Sequence, residues 1–335
     1  MMNELMIHSA ILHVLDFSSD TIAYSDVSLN LEDTVISNYV KKKTESIMND
    51  IRVQDGEFHE DSKLKNIFEE YKSSNINFVE FSKQIGNLLE SYLKNTASQS
   101  YDVLFVDCEF NSQPYVCFVL LENGSAITHL SSYREGVISN IITNANSILP
   151  SASKKPNTFA IIHKINEKIE FVDRTNWNAG EIEVLQEMIL DCTCAKAKDI
   201  VLKEVSEVVN EVAVQTDTNP TLLMSKYKNY VKESVEEDIP ITTESLATNV
   251  FNESEEMQNA FISTSLEHEI PKEVEVPKKY ASSKMKSQKI KTDTGIELTF
   301  PTEYSSDNRY IEFVPHQDGT FTIEIKNIGK ITNKS

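Results

Sequence analysis

The chain has 335 residues, 40% of them hydrophobic, with fifteen Phe and twelve Tyr, enough for a substantial core and for two domains. Its formal net charge of −20 keeps it soluble and repels polyanions at long range, which counts against nucleic-acid binding by the surface as a whole. The longest apolar run, Tyr115 to Leu121, falls far short of the roughly 20 residues of a membrane helix, and four cysteines are too few for a disulfide framework, so a reduced, cytoplasmic protein is expected.

The start, Met1-Met-Asn-Glu-Leu5, lacks a basic region ahead of apolar residues, so no secretory signal is expected. Ile7 to Leu15 and Thr21 to Leu29 read as paired strands around the turn formers of Asp16 to Asp20. Asn30 is placed as the cap of a helix lined by Leu31, Val35, Ile36, Tyr39 and Val40, with Lys41-Lys-Lys43 on its solvated face. Ser62 is placed as the cap of a short helix with Leu64, Ile67, Phe68 and Tyr71. The clearest helix is Phe78 to Leu93, where Phe78, Phe81, Ile85, Leu88, Leu89 and Tyr92 recur at three-and-four spacing.

The period then changes. Val103 to Val106 and Tyr115 to Leu121 have the Val and Phe content of central strands, and Asn123-Gly124 predicts a type I′ hairpin leading into Ser125 to Leu130. Phe159 to Ile165 and Lys168 to Asp173 make a second hairpin. These elements predict an α+β fold: a mostly antiparallel sheet with helices over residues 1–176, then a helical domain over 177–335 that ends in a small β element. In that second part Ile200, Val201, Val205, Val208, Val209 and Val212 form one helical stripe. Asn219-Pro220 opens a further helix, and two short helices fall at Thr243–Phe251 and Ser254–Leu266. Ile296 to Phe300, Tyr310 to Val314 and Phe321 to Ile325 read as closing strands, the last two joined at Asp318-Gly319.

Few residues offer chemistry. The eight glycines are never closer than ten positions, so no phosphate-cradling loop exists. The seven histidines have no Cys or carboxylate at zinc spacing, Cys192-Thr-Cys194 reads as helix packing, and no serine-hydrolase elbow occurs. No catalytic residue, metal or cofactor is therefore assigned. One enzyme alternative stands: Asp318, Glu324 and Lys326 have the acid, acid-x-lysine form of some Mg²⁺-dependent nucleases, although Asp318 has a simpler role in the hairpin turn. Thr243 to Leu266 has the length of a helix-turn-helix, but Glu255 and Glu256 sit at the end that would face phosphates. With only four arginines, direct base readout is not expected either.

The charge map is more informative. Lys232 to Glu275 holds twelve carboxylates against two lysines, whereas Lys278 to Lys291 holds six lysines and no acid. Lys278, Lys279, Lys284, Lys286, Lys289 and Lys291 are the candidate nucleic-acid-binding residues, placed on a flexible or half-ordered arm that lays point charges along phosphates. Tyr280 and Met285 are too few for a single-strand stacking platform. The competing account is a tether whose lysines neutralise the acidic segment upstream.

Several segments in this order, Ile7 to Asp16, Phe78-Val-Glu-Phe-Ser-Lys83, Asp102 to Asp107 with Tyr115 to Leu121, and Lys289 to Phe300 ahead of Asp318-Gly319, resemble the bacterial nucleoid-associated protein family of NdpA type. The resemblance implies a non-enzymatic cytoplasmic protein found with the nucleoid and associated with DNA. It transfers no functional residues. Lysine point charges make the expected partner double-stranded DNA, contacted without sequence preference, or another protein already on the nucleoid; the alternative is an acidic module that recruits or inhibits a DNA-acting protein.

Overall fold

Every side chain from Tyr101 to Cys108 is buried. Successive strand residues point to opposite faces, so this stretch requires a sheet covered on both sides. The computed structural model, which describes residues 4–17, 21–96, 100–134, 136–175, 183–306, 309–316 and 321–332, has that sheet. Residues 1–196 form one compact unit and residues 197–335 another.

In the first unit, β1 (Leu5–Asp16) and β2 (Thr21–Ala23) precede α1 (Thr34–Met48). β3 (Gln54–Gly56), α2 (Lys63–Lys72) and α3 (Phe78–Thr96) follow. Then come β4 (Tyr101–Phe110), β5 (Gln113–Glu122), β6 (Gly124–Arg134), β7 (Val137–Ile148), β8 (Thr158–His163) and β9 (Ile169–Asp173). Seven of the strands make one sheet, ordered β2-β1-β4-β5-β8-β9-β3, with every neighbour antiparallel. Alternation divides β4 between two cores. Val103 and Phe105 pack with Phe68 of α2 and with Phe81, Ile85 and Leu89 of α3. Leu104 and Val106 pack on the other face with Val40 and Ile47 of α1. A wide helical turn, Val184–Leu190, adds Val184, Leu185, Ile189 and Leu190 to the α2–α3 side.

The Phe78 stripe and the Ser62 cap are present as expected: Ser62 Oγ accepts the Lys65 N–H at 3.2 Å. Five other expectations are corrected. First, α1 starts at Thr34 with Asp33 as its cap, because Asn30 spends its side-chain oxygen on the Glu32 N–H in a local turn. Second, Lys41 and Lys42 are exposed but Lys43 is fully buried; its ammonium donates to the carbonyls of Ser151 (2.8 Å) and Lys154 (2.6 Å). Third, the strand expected to reach Leu29 ends at Ala23, where the Ser25 N–H turns to His13 Nδ1 instead of a strand partner.

Fourth, Asn123-Gly124 forms no I′ hairpin between β5 and β6. Both edges of β5 are already filled by β4 and β8, and Asn123 is held by its side chain on Asp102 (3.0 Å). β6 pairs with β7 instead, and the positive φ that a tight turn requires falls at Gly136 (82°). Fifth, Cys192-Thr-Cys194 lies outside any helix, since Asp191 in the left-handed conformation ends the turn before it. Cys192 is buried and bridges to Phe58, and Cys194 is exposed.

The second unit opens with α4 (Lys198–Gln215) and α5 (Pro220–Glu236), the latter capped by Asn219, which accepts the Thr221 N–H at 2.9 Å. α6 (Thr243–Val250) and α7 (Glu255–Glu267) follow, and Leu246, Ala247, Val250, Met257 and Phe261 pack with the valine stripe of α4. Core packing thus occupies the pair of helices that has helix-turn-helix length. β10 (Ser287–Lys291) pairs with β11 (Glu297–Pro301), and β12 (Ile311–Pro315) with β13 (Phe321–Ile325). The Asp318-Gly319 turn lies outside the described residues.

Candidate nucleic-acid interface

The lysine segment is built on the second unit's core. Pro277 leads into a helical turn, Lys278–Tyr280, that continues in wider form through Ala281–Met285. Ala281 and Met285, one turn apart on one face, are buried among the residues of α4 and α5, and Tyr280 packs partly against them. Those inward anchors leave Lys278, Lys279, Lys284 and Lys286 exposed. The chain then enters β10, where Gln288 is buried while Lys289 and Lys291, two apart, share the exposed face.

Three hydrogen bonds fix the junction between turn and strand. Thr302 Oγ1 donates to the Met285 carbonyl at 2.7 Å, the Thr302 N–H to the Lys286 carbonyl at 3.0 Å, and Lys228 Nζ to the Ser287 carbonyl at 3.1 Å. These bonds and the buried Ala281 and Met285 hold the segment on the unit's core, where a flexible or half-ordered arm was expected. A strand here was not expected, because its residues alternate lysine with Gln288 and Ile290 and so give little hydrophobic signal.

Two of the lysines meet carboxylates. Lys278 reaches Asp238 at 2.5 Å, and Lys291 reaches its cross-strand neighbour Glu297 at 3.3 Å; both acids are exposed. Among the described residues, Lys279, Lys284, Lys286 and Lys289 form no ion pair. Asp238 alone of the paired acids belongs to the acidic segment upstream, so neutralisation of that segment engages one lysine of the set.

Of the nuclease alternative, Asp318 lies outside the described residues. Glu324 stands opposite Glu312 across the β12–β13 pair, and Lys326 bridges both carboxylates, lying 3.3 Å from Glu324. The Glu312 contact first, then Glu324, pushes the Lys326 pKa up. The lysine thus has an evident structural role in relieving repulsion between two like charges. In the first unit a cleft of about 680 Å³ is lined by both signs of charge, Lys65 and Lys168 against Asp55, Glu57 and Glu167, and Lys168 pairs with Asp55 at 2.9 Å.

A lysine face on a helical unit, together with an antiparallel sheet unit covered on both sides, defines a two-unit α+β protein. Its clearest surface feature is electrostatic. A family model described as "Nucleoid-associated protein YejK" matches residues 11–332, and the chain belongs to that family of nucleoid-associated proteins. No curated protein matches it. Among the described residues no helix is long and apolar enough to cross a membrane.

Proposed function

We propose that the chain is a non-enzymatic nucleoid protein that holds double-stranded DNA weakly and without sequence preference through Lys278, Lys279, Lys284, Lys286, Lys289 and Lys291. The observation that carries this reading is the exposure of all six lysines on one segment anchored by Ala281 and Met285, in a chain that is otherwise strongly acidic. Screening confines charge effects to about 8 Å at physiological salt, so at contact distance the phosphates meet the local cations rather than the distant surplus of carboxylates. Lysines act on phosphates as point charges, and such contacts are blind to sequence.

Fluorescence anisotropy on duplexes of unrelated sequence, repeated across salt, tests the reading. Six engaged lysines give a log–log salt slope of about −5 and equal affinity for every sequence. Undiminished binding by a variant with all six lysines changed to Gln would remove this segment from the account. No binding by the wild type at low salt would favour the partner-protein alternative, in which the acidic stretch from Lys232 to Glu275 engages a DNA-acting protein.

A further inference from the structure

Strands β5 and β8 are antiparallel neighbours, and such neighbours need only a tight turn between them. The chain instead leaves the sheet after Glu122 and builds the β6–β7 ribbon, eleven residues paired with twelve. Among the described residues that ribbon pairs with no other strand. Its base is tied down: Tyr39 donates to the Pro150 carbonyl at 2.9 Å, just ahead of the two carbonyls held by buried Lys43.

The ribbon exposes large apolar side chains on both faces. Ile127, Tyr133, Ile138 and Ile142 lie on one, at 74, 73, 69 and 81% exposure, and Leu130 and Ile141 stand opposite each other on the second. A lone hairpin is marginal in water, and open strand edges are normally blunted by lysine or proline. Neither β6 nor β7 contains Lys, Pro, Asp or Glu. This is a surface built to be covered.

We propose that the ribbon is a dimerisation arm, docking on the same ribbon of a second copy with β7 paired antiparallel to β7. Charge selects this occupant. Two chains at −20 repel one another over most of their surface, whereas β7 has no ionisable side chain and meets its copy without Coulomb cost. Symmetry fits as well, since an antiparallel strand pair is self-complementary about a two-fold axis and satisfies the open β7 edge of both copies.

Sedimentation equilibrium of the full chain at micromolar concentration gives the test. The expected mass is twice 38.0 kDa, falling to the single-chain value in Ile138→Ser/Ile142→Ser. A second variant replaces residues 125–147 with a short Gly-Ser turn. The β5–β8 pairs lie outside the ribbon, so this variant keeps the helical far-ultraviolet circular dichroism, loses only the ribbon's strand signal, and is monomeric. In the wild type, the β7 amides that point away from β6 are protected from hydrogen exchange and lose that protection on dilution. A monomeric wild type, or a ribbon-deleted variant that still dimerises, overturns the proposal.

Discussion

His13 and Ser82 form a buried hydrogen bond of 3.0 Å whose direction is fixed by what surrounds it. Nδ1 of His13 accepts the Ser25 N–H at 3.0 Å, so in the neutral ring Nε2 carries the proton and donates to Ser82 Oγ. Ser82 in turn donates to the Val79 carbonyl at 2.8 Å. This chain ties β1 to α3 and serves only the neutral imidazole, since a protonated Nδ1 has no acceptor to meet.

Burial first, and then the positive charge of Lys83, push the His13 pKa from 6.5 down to about 4. The unfolded chain therefore binds more protons than the folded one between those values, and stability falls as pH is lowered from 6.5 towards 4. The full cost approaches about 3 kcal/mol at and below pH 4. Urea unfolding at several pH values should show this slope in the wild type and a flatter one in His13→Gln, whatever the absolute stability of the variant. Parallel curves for the two proteins would mean that His13 is not the titrating group.

Gly86, next to this cluster, makes a second expectation. Glycine inside a helix ordinarily costs about 1 kcal/mol relative to alanine, so Gly86→Ala would stabilise an isolated α3. In the folded chain a Cβ at this position would lie 2.5 Å from Cε1 of Tyr24, whose hydroxyl is held by Glu90 at 2.7 Å. The aromatic ring cannot yield without breaking that bond, and overpacking wins. Gly86→Ala should lose about 1–3 kcal/mol in chemical denaturation, and the double variant Gly86→Ala/Tyr24→Leu should recover part of it. A more stable Gly86→Ala would show that the ring moves freely.

Lys43 gives a third. Its ammonium is buried and satisfies two carbonyls of the loop between β7 and β8; burial, followed by the charge of Lys154, pushes its pKa down to about 8. Removing the donor leaves both oxygens without their partner, so Lys43→Met should cost about 2–4 kcal/mol, while Lys42→Met on the exposed face should cost almost nothing. The folded pKa lies below that of a free lysine, so the wild type gains stability as pH rises from about 8 towards 10.5, and Lys43→Met loses that gain. Thermal melts of the three proteins at pH 7 and pH 9.5 compare both effects. Equal melting temperatures for Lys42→Met and Lys43→Met would refute this role.

These residues also mark where sequence stops being informative. The α3 stripe and the Asn219-Pro220 start were legible because a helix writes its period and its cap into neighbouring positions. Lys43 was not, because its acceptor at Ser151 is 108 residues away and only the fold brings them together. The β6–β7 ribbon was obscured by Asn123-Gly124, a strong local turn signal overruled by the filled edges of β5. The lysines of the candidate interface were legible as charge, whereas their support was not. Ala281, Met285 and Gln288 are single inward residues among polar neighbours, and the burial of the first two depends on α4 and α5 being present.

The ion pairs at Lys278 and Lys291 divide the six lysines into unequal groups, which leads to the last prediction. A lysine already facing a carboxylate must give up that contact or share it when a phosphate arrives, so it contributes less to binding than one facing water. Lys279, Lys284, Lys286 and Lys289, with no ion pair among the described residues, should carry most of the DNA affinity. Equal shares would leave a salt slope of about −2 after these four are changed to Gln; with Lys278 and Lys291 held by carboxylates the residual slope should be shallower, about −1. Changing only Lys278 and Lys291 should alter the wild-type slope by less than their number suggests, because each ammonium is already shared with Asp238 or Glu297 and displaces fewer counterions from the duplex. Anisotropy titrations on one duplex across salt, run on both variants, compare the groups directly. Equal losses in slope per lysine would show that the ion pairs are too weak, at these exposed positions, to bias which cations meet the phosphates.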